Sequence, residues 1–352
     1  MTRLLGRQPE YNTLRVSLHG SLPEGARLSL ASLWQGAGFD FLTCTTLLRG
    51  AREDERIQAV VLTIADLDVG WAKIQSLRRS LLALRAANKQ VWVYLTEGGM
   101  REYYLASAAD TILIAPAGHL SITGLAAETV FFKGVLDKLG IEAQVHQAGQ
   151  YKAAGEPFTR DSMSDAHREM LNGLLDDLYG QIVEDVAHAR HKSLQAVRAL
   201  IDQGLFMARE ALGAGLIDHV AYEDEIPTLL EAKLNPVHEI TTEEYLHLRR
   251  QVMRRTLLAT DPKKIAFVTV DGVIKRGDSH DGGDAGHAVG STSFAEDLKR
   301  IREDDSVAAL VVRVVSPGGS GLASDLMWRE LMRTREKKPV IISMGDVAAS
   351  GG

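Results

Sequence analysis

The segment Gly345-Asp346-Val347-Ala348-Ala349-Ser350-Gly351-Gly352 follows a β-branched run from Val340 to Met344. A serine among small residues at a strand-to-helix turn suits a nucleophile. No side chain blocks the carbonyl it attacks, and a helix N-terminus beside it favours developing negative charge. By itself the string reads first as a flexible Ala-Ser-Gly-Gly segment, as most such strings are. A second motif, Ser316-Pro317-Gly318-Gly319-Ser320, follows the strand-like residues 310–315. Two glycines after a strand leave backbone N–H groups free to turn into a cleft, as an oxyanion hole or anion-binding nest requires. An ordinary Pro-Gly turn has the same composition.

A nucleophilic serine needs a base. His188 and His191 lie on a polar helical stretch, and His280 and His287 sit in a Gly-Asp loop of the kind that is usually solvated. No His-Glu-x-x-His pair, phosphate loop, Gly-x-Ser-x-Gly elbow or complete Gly-x-Gly-x-x-Gly occurs. The remaining candidate is Lys152, in Gly149-Gln150-Tyr151-Lys152-Ala153-Ala154-Gly155-Glu156-Pro157-Phe158. To act near neutral pH, a lysine must fall about 3 pH units from about 10.4, roughly 4 kcal/mol of desolvation or like-charge repulsion. Ala153, Ala154, Pro157 and Phe158 are the neighbours expected to desolvate it, and Glu156 would oppose the shift if its carboxylate came close. A lysine chosen blind is ordinarily a solvated surface residue.

These residues need elements to hold them, and the sequence supplies two similar sets. Residues 51–64 (AREDERIQAVVLTI) and 301–314 (IREDDSVAALVVRV) share Arg-Glu-Asp, an alanine and a valine at a constant offset of 250. Upstream, LRVSLHG at 14–20 resembles IAFVTVDG at 265–272; downstream, VWVYL at 91–95 resembles VIISM at 340–344. Each set reads strand, Gly turn, variable loop, helix, strand, loop, helix, strand, which implies an α/β fold with mainly parallel strands. Trp71, Ile74, Leu77, Leu81 and Leu84 predict an amphipathic helix between the second and third strands. A long helix is predicted to start at a Ser164 cap and run through Leu171, Leu174, Leu175, Leu178 and Ile182. The charged stretch Thr241 to Arg255 predicts a helical bridge. Where the second set has Gly-Gly and Ser350, the first has Asp66-Leu67-Asp68-Val69 and Met100 or Arg101. One set is equipped for chemistry and the other is not.

The implied domains are an N-terminal extension at 1–12, a first repeat at 13–245, a helical linker at 246–261 and a second repeat at 262–352. An equally long second copy would need something like 140 more residues, so the chain is expected to be a fragment or a truncated reading frame. With 352 residues, 45% hydrophobic, 24% charged and a net charge of -6, the composition is globular and gives no basic field for nucleic acid. The single Cys44 excludes an internal disulfide and a thiolate zinc site. No apolar run approaches the roughly 20 residues of a membrane span, and Met1 to Glu10 has no signal core.

The three motifs, in this order and on two repeats, closely resemble signal peptide peptidase A (protease IV) in its long, duplicated form. The resemblance implies tandem Clp-protease/crotonase-like repeats, the second one truncated, and a serine endopeptidase with a Ser-Lys dyad. Ser350 matches the family's nucleophile and Lys152 its general base. Gly318, Gly319 and Gly351 match positions that hold the oxyanion and the extended substrate. It further implies released signal peptides and unfolded apolar segments as substrates, a tetramer-like ring, and no metal or organic cofactor. Members are usually at the cytoplasmic membrane; with no visible anchor, this chain is expected to be cytoplasmic or peripheral. Alternatives are a crotonase-type acyl-CoA enzyme, a non-catalytic peptide-binding scaffold, and a phage capsid-maturation protease.

Overall fold

The computed structural model describes residues 11–25, 39–259, 263–281 and 287–352. Most of the expected N-terminal extension and residues 282–286 therefore lie outside the described residues. The chain forms two compact units, Met1–Val93 with Asp224–Gly352, and Tyr94–Glu223.

The first unit opens with strand β1 (Thr13–Ser21), helix α1 (Phe41–Glu53), β2 (Ala59–Asp68), α2 (Trp71–Ala86) and β3 (Gln90–Leu95), and the chain passes into the second unit within β3. β1 and β2 pair in parallel, with Thr13 opposite Ala59. Both faces are covered, so Leu14, Val16, Val60, Leu62, Val91 and Val93 are fully buried. This is why the strands read as nearly continuous apolar runs rather than alternating ones. α2 buries Ile74, Leu77, Leu81 and Leu84 as its spacing predicts, each contributing about 1.5–3 kcal/mol.

The second unit holds β4 (Gly98–Gly99), α3 (Met100–Ala106), β5 (Thr111–Ile114), β6 (His119–Ser121), α4 (Lys133–Lys138), α5 (Glu156–Thr159), α6 (Asp165–Ala189), α7 (Leu194–Gln203), β7 (Leu205–Met207), α8 (Ala208–Gly213) and β8 (His219–Val220). Arg190, at the end of α6, forks onto Asp218 at 2.9 and 3.1 Å, and Asp218 also accepts the Ile112 N–H that leads into β5. Ser164 caps α6 as predicted, taking the His167 N–H at 3.1 Å. Of the expected apolar stripe only Ile182 is buried and Leu174 is exposed; the buried apolar face lies in the C-terminal half, where Val183, Val186 and Ala187 join Ile182. His191 lies beyond the helix end with φ 52°, not on the helix.

The chain returns to the first unit through α9 (Ile226–Glu231), β9 (Glu239–Thr241) and α10 (Thr242–Ala259). The predicted bridging helix is thus observed. It is tied to the end of α1 by Tyr245, whose hydroxyl donates to Asp54 at 3.2 Å. Then follow β10 (Lys264–Asp271), β11 (Val273–Lys275), β12 (His280–Asp281), β13 (His287–Gly290), α11 (Ser291–Glu303), β14 (Val307–Ser316), α12 (Gly321–Arg335) and β15 (Val340–Ala348). The order of β10, α11, β14, α12 and β15 reproduces that of β1, α1, β2, α2 and β3. Even details recur: α1 and α11 end on Asp54 and Asp304 with nearly equal angles, φ -85° ψ 112° and φ -83° ψ 106°. Lys89 and Lys338 donate to the carbonyls of those two aspartates. Strands β10, β14 and β15 are parallel, and their core is Leu310, Val312, Phe294, Leu298, Ile274 and Met327. Unlike β1 to β3, they leave Ile265, Phe267, Ile341 and Met344 exposed.

Candidate active site

Ser350 sits one residue beyond the Ala349 that follows β15, at φ 55°. Left-handed backbone is uncommon for a residue with a Cβ. One backbone bond holds this turn against the end of β14 and another closes it on itself. The Ala349 N–H donates to Ser316 O at 3.0 Å, and the Gly352 N–H closes back on Ala349 O at 2.8 Å. Ser350 itself is exposed.

Gly318 shows why this sequence is needed beside the turn. Its φ is 90°, and a Cβ there would stand 2.7 Å from Gly351 N, 2.8 Å from Ala349 O and 2.9 Å from the Ser350 Cβ. Any side chain would displace the serine turn. Gly319, at φ 152°, meets Ile274 in the same way, since a Cβ would overlap Ile274 O. Ile274 N–H donates to Gly318 O and Ser320 N–H to Ile274 O, so the glycine pair is stitched to β11 as a parallel bridge. In such a bridge the groups of the intervening residue point the other way, so the Gly319 N–H is directed away from β11. The Gly318 N–H is engaged by Ser316 Oγ at 3.0 Å. Of the two donors suggested by the motif, one is therefore taken up within its own loop.

Lys152 belongs to the second unit and heads a 3-10 turn, Ala153–Gly155, that runs into α5. Only Ala153 among its expected apolar neighbours is buried; Lys152, Ala154 and Phe158 are exposed. The neighbours do not desolvate the lysine, because this stretch lies on the surface of its unit. Glu156 turns away from the opposing role envisaged for it. Its carboxylate accepts the Ser164 N–H at 3.1 Å and the Ser164 hydroxyl, and lies 3.0 Å from His167 Nδ1. These bonds, the Ser164 hydroxyl first, hold the Glu156 carboxyl below its ordinary value. The fastening of the lysine segment to the start of α6 was not read from the sequence. The signal available was the acid at 156 eight residues before a predicted serine cap.

The histidines do not assemble a base or a metal centre. His280 and His287 lie on the antiparallel pair β12–β13, where His280 Nδ1 is 2.7 Å from Asp278 O. No group of three or more His, Cys, Asp and Glu side chains is arranged to hold a metal among the described residues. No helix among them is long and apolar enough to cross a membrane.

Residues 83–236, which include Lys152, match peptidase family S49. The chain carries an S49 peptidase domain. It is 36% identical over 305 residues to the chloroplastic serine protease SPPA of Arabidopsis thaliana, covering 86% of this chain and 45% of that protein. It is 31% identical over 315 residues to protease 4 of Salmonella typhi, covering 87% of this chain and 50% of the relative. Protease 4 of Haemophilus influenzae is 30% identical over 327 residues, with 87% and 51% covered. The chain thus spans about half the length of the curated relatives it matches, and the resemblance to signal peptide peptidase A seen in its motifs agrees with their names.

Proposed function

We propose that this S49 chain supplies the Ser-Lys dyad of a serine endopeptidase, with Ser350 as nucleophile and Lys152 as general base. The observation that carries the reading is the left-handed turn at Ser350, packed against a glycine that can bear no side chain. In this reaction neutral Lys152 takes the Ser350 proton, Oγ attacks the peptide carbonyl, the amine departs with a proton, and water releases the acyl group. Gly319 and Gly351 are the better oxyanion donors, and Gly318 contributes space and, through its carbonyl, the anchor to β11. The exposure of Lys152 means that its desolvation must come from substrate or from further protein. Extended, apolar peptides such as signal peptides suit both needs. Two tandem Clp-protease/crotonase-like repeats, assembly into a ring and attachment at a membrane surface belong to the same proposal.

The test is cleavage of casein or a signal peptide by the full-length protein carrying Ser350→Ala or Lys152→Ala. Each is expected to abolish turnover; retained activity in either overturns the dyad. A second reading, a peptide-binding protein without hydrolysis, is favoured by the exposed Lys152 alone. Peptide binding with no cleavage by the unmutated protein would establish it.

A further inference from the structure

Strand β15 is not held evenly along its length. Its ladder with β14 is regular from Leu310 opposite Val340 to Val314 opposite Met344, and then jumps to Ser316 opposite Ala348. Two steps on β14 match four on β15, so Gly345, Asp346 and Val347 bulge out of the pairing. Bulges re-aim a side chain and leave the backbone locally without ladder bonds. Something else must fix the strand at Gly345, Asp346 and Val347.

The bulge delivers Asp346 to the N-terminus of α2. That helix starts on Gly70, which has no side chain to cap it, and has no acidic residue in its first turn. Asp346 Oδ1 accepts the Lys73 N–H at 3.1 Å, and Oδ2 pairs with Lys73 Nζ at 3.2 Å. Lys73 Nζ also pairs with Glu24 at 3.4 Å, and Glu24 accepts Arg313 Nε at 3.1 Å and Nη2 at 3.3 Å. Arg313 Nη1 returns to β15, donating to Ser343 Oγ at 3.0 Å and Met344 O at 2.8 Å. Two cations and two anions thus close a network in which Lys73, Glu24 and Arg313 are buried. Gly70 is required by it, because a Cβ there would overlap the Asp346 carboxyl.

We propose that Asp346 is a positioning residue, which sets the course of β15 into the Ser350 turn by capping α2 from outside that helix. The proposal rests on the reading of Ser350 as nucleophile. Its consequence is that kcat depends on residues of the first strand-helix set that touch no substrate. The decisive variant is Gly70→Ala in the full-length protein. It keeps every charge and suits the local φ of -77° but expels Asp346. A displacement of about 1 Å at a reacting group costs up to about 100-fold, and kcat is expected to fall by about 10-fold or more with KM nearly unchanged. Asp346→Asn, which keeps the shape and the N–H acceptor but not the ion pair, is expected to fall between Gly70→Ala and the parent. It decides the matter if Gly70→Ala does not fold. Unchanged kcat in folded variants, at temperatures well below their thermal transitions, overturns the proposal even if those transitions drop. Ser350→Ala measured alongside separates the two failures: if it stays active, the reading of the site has failed rather than the positioning role.

Discussion

The ends of β2 and β14, with the turns that follow them, occupy the same place in their two strand-helix sets, and they have been put to opposite uses. The first, Asp66 to Gly70, has left-handed backbone only at Asp66 and enters a helix that lacks its own cap. The second, Ser316 to Ser320, has it at Gly318 and Gly319 and enters a helix capped by its own serine, whose Oγ takes the Ala323 N–H at 3.3 Å. β15 touches both. It gives the first turn a carboxylate, and it lays the Ala349–Gly351 backbone on the second. A turn that borrows its cap is bound to the donor strand; a turn that caps itself can set Gly318 against the serine turn instead. Similar arrangements of strand, turn and helix thereby act as a fastening in the first set and as the support of the proposed nucleophile in the second.

The comparison is most severely tested by placing alanine at matching positions of the two. Gly318→Ala should reduce peptide cleavage by the full-length protein by about 100-fold or more, as the Ser350 turn is forced aside. Asp68→Ala, at the matching position of the first turn and exposed, should leave kcat and KM as they are. Equal losses in both would erase the distinction between the turns. A smaller effect concerns the caps. Ser320→Ala and Ser164→Ala should each cost about 1 kcal/mol in denaturant unfolding, since each helix relies on its own serine. For α2 the same loss should appear on substitution of Asp346, a residue 273 positions away along the chain.

The lysine segment allows a test by pH. The Glu156 carboxyl is held below its ordinary value in the folded state. The stability it contributes is therefore complete above about pH 4.3, the unfolded value for Glu, and is lost as pH falls through the depressed one. Unfolding free energies measured on either side of that window should show a steeper acid loss in the parent than in Glu156→Gln. Equal slopes would mean that the carboxylate does not fasten the loop. The smallest effect is expected at Cys44, where burial pushes the thiol up to about 12. Thiol reagents at pH 8 should leave it unmodified in the folded protein and label it after denaturation.

Much of the fold was legible because it depends on local patterns. Ile74, Leu77, Leu81 and Leu84 recur at the helical period, Ser164 stands where a cap must, and the apolar runs around Val60, Val91 and Val312 are strands closed by helices. The similarity of residues 51–64 to 301–314 carried through to matching helix ends at Asp54 and Asp304. The stripe on α6 was only half right, since periodicity marks an amphipathic face but not how far a partner extends along it. Lys152 was expected to be desolvated by Ala154 and Phe158, yet small or apolar neighbours in sequence exclude water only if the chain folds over them.

What the sequence determined by itself was the inventory: a nucleophile-type serine among small residues, a glycine pair after a strand, one lysine in a distinctive string, and the elements carrying them. Those are short-range properties, set by side-chain size and by the periods of helix and strand. What only the tertiary structure decided was how each residue is held. The conformation of Ser350, the use of Gly318 N–H by Ser316, the closure of α2 by Asp346 and the fastening of Glu156 to α6 are contacts between separated segments. Their geometry depends on registers and bulges that composition does not encode. A carboxylate finds an uncapped helix N-terminus only after packing has brought both out of water, where the bond is worth forming.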